Sequence, residues 1–273
     1  MYSLDTAAII VMALNLIVSW SAFQNRARFE DTLLRVGSLN DGQWYRLFSS
    51  AFVHVDWTHF FFNMFSLFVF AGKVEGNLGS AFFILIYLGS LLGGNLLAWF
   101  YHRTNPEYRA VGASGAVSGI IFSAIILEPG MNLYIFLIPF PIPAWIYGLI
   151  FIFYSIYGIG RQHDNIGHEA HLGGALSGLA LTLILAPFVI QENALTILYL
   201  AVPSLAFLII MFFKPQLLLW NYGNGKQNFT VDDHYHENKS EQEKELNRIL
   251  EKVKRSGAES LSPEERHFIE RHF

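Results

Sequence analysis

Cysteine is absent from the 273 residues, which excludes disulfides, thiolate metal sites and a cysteine nucleophile. Charge is scarce as well. Only 15% of the residues are Asp, Glu, Lys or Arg, and a formal net charge of -4 leaves no basic footprint for nucleic acid. The charges that exist are unevenly placed: nine of the 18 Lys and Arg lie in the first 221 residues and nine in the last 52, which separates an apolar domain from a polar tail. The first apolar stretch carries Asp5 and has neither a basic leading region nor a small-residue cleavage site, so a cleaved signal peptide is not expected. The residue alternation that a membrane barrel needs is also missing.

What the chain has in abundance is apolar surface. Hydrophobic residues make up 53% of it and gather into seven stretches, roughly 5–23, 54–71, 79–100, 112–128, 143–160, 166–189 and 194–213. Each comes near the ~20 residues that cross a hydrocarbon core of ~30 Å. Backbone groups in lipid must be satisfied within their own segment, so the stretches should be helices. The expected fold is an all-α polytopic membrane protein: a helical bundle of seven transmembrane helices over residues 1–220, a linker over 221–239 and a small soluble helical hairpin over 240–273. Pro139, Pro141 and Pro143 interrupt any helix over 131–143, which reads as a connection. In the tail, Ser240 with Glu243 and Ser262 with Glu265 fit capping boxes, Leu246, Ile249, Leu250 and Val253 share one helical face, and Gly257 can end that helix. Its charges read as a solvated face.

Polar groups at membrane depth are costly and tend to mark sites or water paths. The second stretch holds His54, His59 and Asn63; the sixth holds His168, Glu169 and His171. Ser114 stands in Gly112-Ala113-Ser114-Gly115 at the start of the fourth. A hydroxyl becomes a nucleophile when a base takes its proton, and imidazole suits that task near neutral pH. His171 is the candidate base. His59 and Asn63, four residues apart, lie one above the other on a helix and can both present donors to a cavity. With the Ser114 N–H, at a helix N-terminus where donors are unpaired, they would form an oxyanion hole. Gly115 with Gly119 and Gly174 with Gly178 are small-xxx-small spacings that let helices approach closely in lipid. His171, Gly174 and Gly178 follow i, i+3, i+7, which points His171 at the fourth helix. Taken alone, a Gly-Ala-Ser-Gly run in a membrane helix is most often packing; the company of His59, Asn63 and His171 is what makes it a site.

These residues carry a resemblance. Trp44-Tyr45-Arg46, His54, the His59-xxx-Asn63 helix, Glu75 before Gly79-Ser80, the Gly112-Ala113-Ser114-Gly115 run, and His171 followed by Gly174 and Gly178 together resemble the rhomboid intramembrane serine proteases over most of residues 40–190. The resemblance implies a Ser114–His171 dyad with no acidic third member, an oxyanion hole from the Ser114 N–H, His59 and Asn63, and no cofactor. It implies substrates that are membrane-spanning helices cut near their outer end, a six-helix core with one added C-terminal helix, and a home in a bacterial inner membrane. Many rhomboids place an aromatic ring four residues after the nucleophile, beneath the histidine; here that position is Ser118. A cytoplasmic N-terminus, as the family suggests, puts Arg26, Arg28, Arg35 and Arg46 in an external loop and Lys73 in an internal one, against the positive-inside tendency. The tail would then be external.

Two other readings compete with the protease. A non-catalytic rhomboid-like protein that binds membrane helices would normally lack the serine or the histidine, and both are present. A metal site is suggested by His168-Glu169-Ala170-His171, but the zinc-protease pattern needs histidines four apart and these are three apart. No metal is expected. His234, His236, His267 and His272 are too dispersed to suggest one. The expected partners are transmembrane substrates and the lipid bilayer; the sequence names neither the substrate nor an oligomeric state.

Overall fold

The computed structural model describes residues 6–134, 140–161 and 167–213, with Ile249, residues 252–254, Leu261, Ser262 and Glu265. The chain divides into two compact units, one of residues 1–161 and 166–221, the other of 162–165 and 222–273.

In the first unit each apolar stretch has become a helix. In chain order the elements are α1 (Thr6–Gln24), α2 (Arg26–Thr32), β1 (Leu34–Arg35), α3 (Val36–Asn40), α4 (Arg46–Ser49), a 3-10 turn (Ser50–Phe52), α5 (Trp57–Leu78) and α6 (Ser80–Tyr101). After these come β2 (Arg109–Ala110), α7 (Ser114–Leu127), β3 (Asn132–Leu133), β4 (Ile142–Pro143), α8 (Ala144–Arg161), α9 (His168–Leu185), α10 (Phe188–Glu192) and α11 (Ala194–Phe213). The protein is an all-α membrane protein. α1, α6 and α11 are long and apolar enough to cross a membrane by length and composition alone, while α7 and the apolar part of α8 are shorter.

The helix ends differ from the sequence expectation at two places. α5 runs on past residue 71 to Leu78, because the charges there are matched: Lys73 pairs with Glu128 at 2.6 Å and the Glu75 carboxylate is fully engaged. It ends where Gly79 turns the chain at φ 83, a left-handed value that favours glycine. The sixth stretch breaks after Leu185 because Pro187 has no N–H to continue α9, and the short α10 follows.

α7 is the centre of the bundle. Every residue from Gly115 to Ile126 is buried. At 14 residues, and about 1.5 Å of rise for each, α7 is roughly 21 Å long and falls short of a ~30 Å hydrocarbon core. Irregular backbone at such depth is tolerated only where protein surrounds it, and α5, α6 and α9 do so. Two glycine contacts show how close the helices lie. A Cβ on Gly174 of α9 would stand 3.0 Å from the Gly115 Cα and collide with its carbonyl oxygen, and one on Gly178 would collide with the backbone of Gly119. Below them the hydroxyls of Ser123 and Thr182 meet at 2.7 Å.

Polar ties hold α1 to the bundle. Glu75 accepts from the free N–H groups of Ala7 and Ala8 at 2.9 and 3.0 Å, and from the Ser80 hydroxyl at 2.6 Å, so a carboxylate caps the positive end of α1. Asn15 reaches the Tyr87 hydroxyl on α6 at 3.2 Å. In the first loop the buried Arg46 donates to the carbonyls of Glu30 and Leu33, both at 2.7 Å, and to Gln43.

In the second unit Ser262 and Glu265 exchange the two bonds of a capping box, 2.8 Å from the Ser262 N–H to the carboxylate and 3.2 Å from the Glu265 N–H to the hydroxyl. Lys252 pairs with the same carboxylate at 2.8 Å. The expected linker over 221–239, the Ser240–Glu243 box, Leu246, Leu250 and Gly257 lie outside the described residues.

Candidate active site

The segment leading to Ser114 is tied down residue by residue. β1 and β2 pair antiparallel, Leu34 opposite Ala110 and Arg35 opposite Arg109, which fastens the first loop to this segment. The Gly112 N–H then donates to the Ser50 carbonyl at 2.9 Å. Gly112 itself has φ 115, and a Cβ there would fall 2.6 Å from the His59 Cε1. Both conditions demand glycine. The next N–H, of Ala113, points at the His54 Nε2 at 3.4 Å. On its other side the His54 Nδ1 meets the Ser19 Oγ at 2.9 Å, and that hydroxyl donates to the Phe52 carbonyl at 3.0 Å. One tautomer satisfies the set, Nδ1 donating and Nε2 accepting, as assigned from the network.

Ser114 follows, half-buried, as the first residue of α7. The opening N–H groups of a helix have no partner within it and carry its positive end, so this backbone suits developing negative charge. His171 lies in the first turn of α9. Gly115, directly after Ser114, lies against the Ala170 carbonyl, directly before His171. The two parallel helices therefore bring Ser114 and His171 to the same end of the glycine seam. No hydrogen bond links the Ser114 Oγ to His171 in this structure, and catalytic bonds are often long before substrate arrives.

His59 sits in the first turn of α5, its N–H capped by Asp56 at 2.7 Å, and its ring faces Gly112. Asn63, one turn on and buried, donates one amide proton to the His59 carbonyl at 3.0 Å. An amide carries two donors, so one remains for a ligand. The structure thus gathers Ser114, His171, His59 and Asn63 from three helices at one end of the bundle.

Around this group the structure adds contacts that sequence reasoning did not supply. Glu169 points away from His171, as its place on the helix wheel requires, and meets the His102 Nε2 at 3.1 Å. His102 stacks on Tyr108 with ring centres 3.6 Å apart, and burial, then the charge of Glu169, push the Tyr108 phenol well above its ordinary range. His168 opens α9, three residues before His171. It is buried against α8, its ring 5.1 Å from that of Tyr154 and lying over Gly158. Ser118 turns its hydroxyl back to the Ser114 carbonyl at 2.6 Å. Phe151 of α8 stacks on His171 at 5.7 Å and 28°. Phe151, Tyr154 and Gly158, spaced i, i+3, i+7, share one face of α8. Among the described residues no three His, Asp or Glu side chains group as a metal site would.

A family model described as Rhomboid domain matches residues 41–188, and one described as a family of unknown function (DUF6576) matches residues 229–272. RHOMBOID-like protein 12, mitochondrial, from Arabidopsis thaliana is 30% identical over 183 residues, covering 61% of this chain and 54% of that protein. Rhomboid protease AarA from Providencia stuartii is 27% identical over 194 residues, 63% of this chain and 67% of its own. Rhomboid protease GluP from Bacillus subtilis is 28% identical over 153 residues, 54% of this chain and 28% of its own. The chain spans about half the length of the Arabidopsis relative.

Proposed function

We propose, because this chain belongs to the rhomboid family, that it is a serine endopeptidase acting inside the membrane on transmembrane-helix substrates, with Ser114 as nucleophile and His171 as base. The observation that carries the reading is the glycine seam: Gly115 against Ala170 and Gly174 sets the first turns of α7 and α9 side by side, each with its reactive group. His59 against Gly112 adds a donor at the same turn.

In the reaction His171 takes the Ser114 proton as the Oγ bonds to the scissile carbonyl carbon. The negative oxygen that develops is met by the Ser114 N–H, His59 and the remaining Asn63 amide proton, each such donor worth roughly 3–4 kcal/mol. His171 returns the proton to the leaving amine as the C–N bond breaks. Water, deprotonated by the same imidazole, then releases the acyl group from Ser114. Among the described residues no acidic group meets His171, and its Nδ1 is buried with no partner.

The proposed setting is a bacterial inner (cell) membrane, as the sequence resemblance implies; the relatives include rhomboid proteases of Providencia stuartii and Bacillus subtilis and a mitochondrial protein of Arabidopsis thaliana. The proposed substrates are single membrane helices opened near their outer end, as the sequence resemblance implies.

The test is cleavage of a panel of reporter transmembrane segments by purified protein, wild type beside Ser114→Ala. Cleavage should vanish with the hydroxyl while the fold and thermal midpoint persist, since the N-cap of α7 is Ala113 and alanine within the helix is well tolerated. Undiminished cleavage by Ser114→Ala overturns the assignment and leaves a helix-binding, non-catalytic protein as the better account.

A further inference from the structure

We infer that Phe151 is the positioning residue for the His171 base, supplied by α8. The inference rests on the Ser114–His171 reading and adds to it. A base must present one particular nitrogen to the nucleophile, so its ring has to be held in rotation as well as in place. Hydrogen bonding at the far nitrogen is the usual means, and here the His171 Nδ1 is buried with no partner among the described residues. The neighbour one turn beyond Ser114 supplies no ring either: Ser118 is small, and its hydroxyl is occupied by the Ser114 carbonyl at 2.6 Å.

What remains is packing, and it is specific. Phe151 lies nearly parallel to the imidazole, 5.7 Å between centres and 28° between planes, an offset stack of the favoured kind. Behind it the fully buried Phe122 of α7 meets Phe151 edge-on at 5.9 Å and 65°. A residue of the nucleophile's own helix therefore backs the ring that faces the base. Further along α8, Tyr154 and Gly158 on the same face take His168, whose ring in turn stands edge-on to His171 at 5.9 Å. The imidazole is thus bounded by Phe151 on one face and by His168 at an edge.

The consequence is a division of effects. Losing the aromatic face widens the rotation open to His171, so fewer molecules are competent at any moment while substrate docking is untouched. The test uses the full-length protein in detergent, with a fluorophosphonate probe that labels Ser114 and a reporter transmembrane segment. Phe151→Leu should slow labelling and lower kcat by about three- to tenfold with KM unchanged, the factor that a stack of this kind accounts for. Phe151→Tyr should keep both within about twofold of wild type by the same measure. Ile152→Ala, on the same helix and fully buried, should lower the thermal midpoint yet leave labelling per folded molecule intact. Should Phe151→Leu fail to fold, Phe151→Met against Phe151→Tyr carries the comparison. Equal rates for Phe151→Leu and wild type, or equal losses in the Leu and Tyr variants, overturn the inference alone. If wild-type protein is not labelled at Ser114, the dyad falls and the inference falls with it.

Discussion

His59 and Gly112 touch across the gap between α5 and the turn before α7, so closely that a methyl group on residue 112 would stand 2.6 Å from one ring carbon and 2.8 Å from a ring nitrogen. That contact fixes two things at once. It keeps a candidate oxyanion donor beside the nucleophile's backbone, and it makes the glycine before Ser114 a packing requirement as well as a conformational one.

Gly112→Ala should therefore disable the site while sparing the bundle. A side chain at φ 115 costs about 1–3 kcal/mol in strain, and the methyl must displace the His59 ring. Loss of that donor should cut kcat by about a hundredfold or more. Reporter cleavage beside circular dichroism checks it. An active Gly112→Ala would mean that His59 does not serve the oxyanion.

Gly174→Ala tests the seam. The added carbon meets the Gly115 backbone, which cannot swing aside as a flexible side chain would, so the helices must part. Overpacking of this sort costs about 1–3 kcal/mol, and separation of α7 from α9 also moves Ser114 from His171. Both the thermal midpoint and the fluorophosphonate labelling rate should drop. A midpoint that stays put would show that the seam is looser than described.

The Glu169–His102 pair joins the start of α9 to the end of α6, with side-chain exposures of only 6% and 13%. Glu169→Ala leaves His102 without its partner and should cost about 1–3 kcal/mol. Glu169→Gln keeps a hydrogen bond and should recover most of that. Equal midpoints for the two variants in thermal unfolding would rule the pair out as a tie.

Serine and metal chemistry part company at His168. His171→Ala should eliminate cleavage, His168→Ala should reduce it only in part through lost packing at Tyr154 and His171, and strong chelators should do nothing. A bound zinc would make all three treatments inactivating. Activity lost to a chelator and restored by zinc would refute the serine mechanism.

Much of this protein was open to reading along one dimension. Each apolar stretch closes its own backbone hydrogen bonds, so length and composition were enough to place the helices that contain Ser114 and His171, and the scarcity of polar groups at depth was enough to single out His59 and Asn63. Glycine spacing even indicated which faces would meet. The contacts that orient the groups were not legible, because they join residues far apart in the chain and depend on rotamers that only packing selects. Nothing in the sequence ties Ser19 and His54 to the Ala113 N–H, turns Glu169 toward His102, or lays Phe151 over His171. The sequence by itself determined which helices form and which polar side chains are costly to place in lipid; the tertiary structure decided which of those side chains meet, since among the described residues the His171 Nδ1 has no hydrogen-bonded partner and its ring is set by the rings that pack around it.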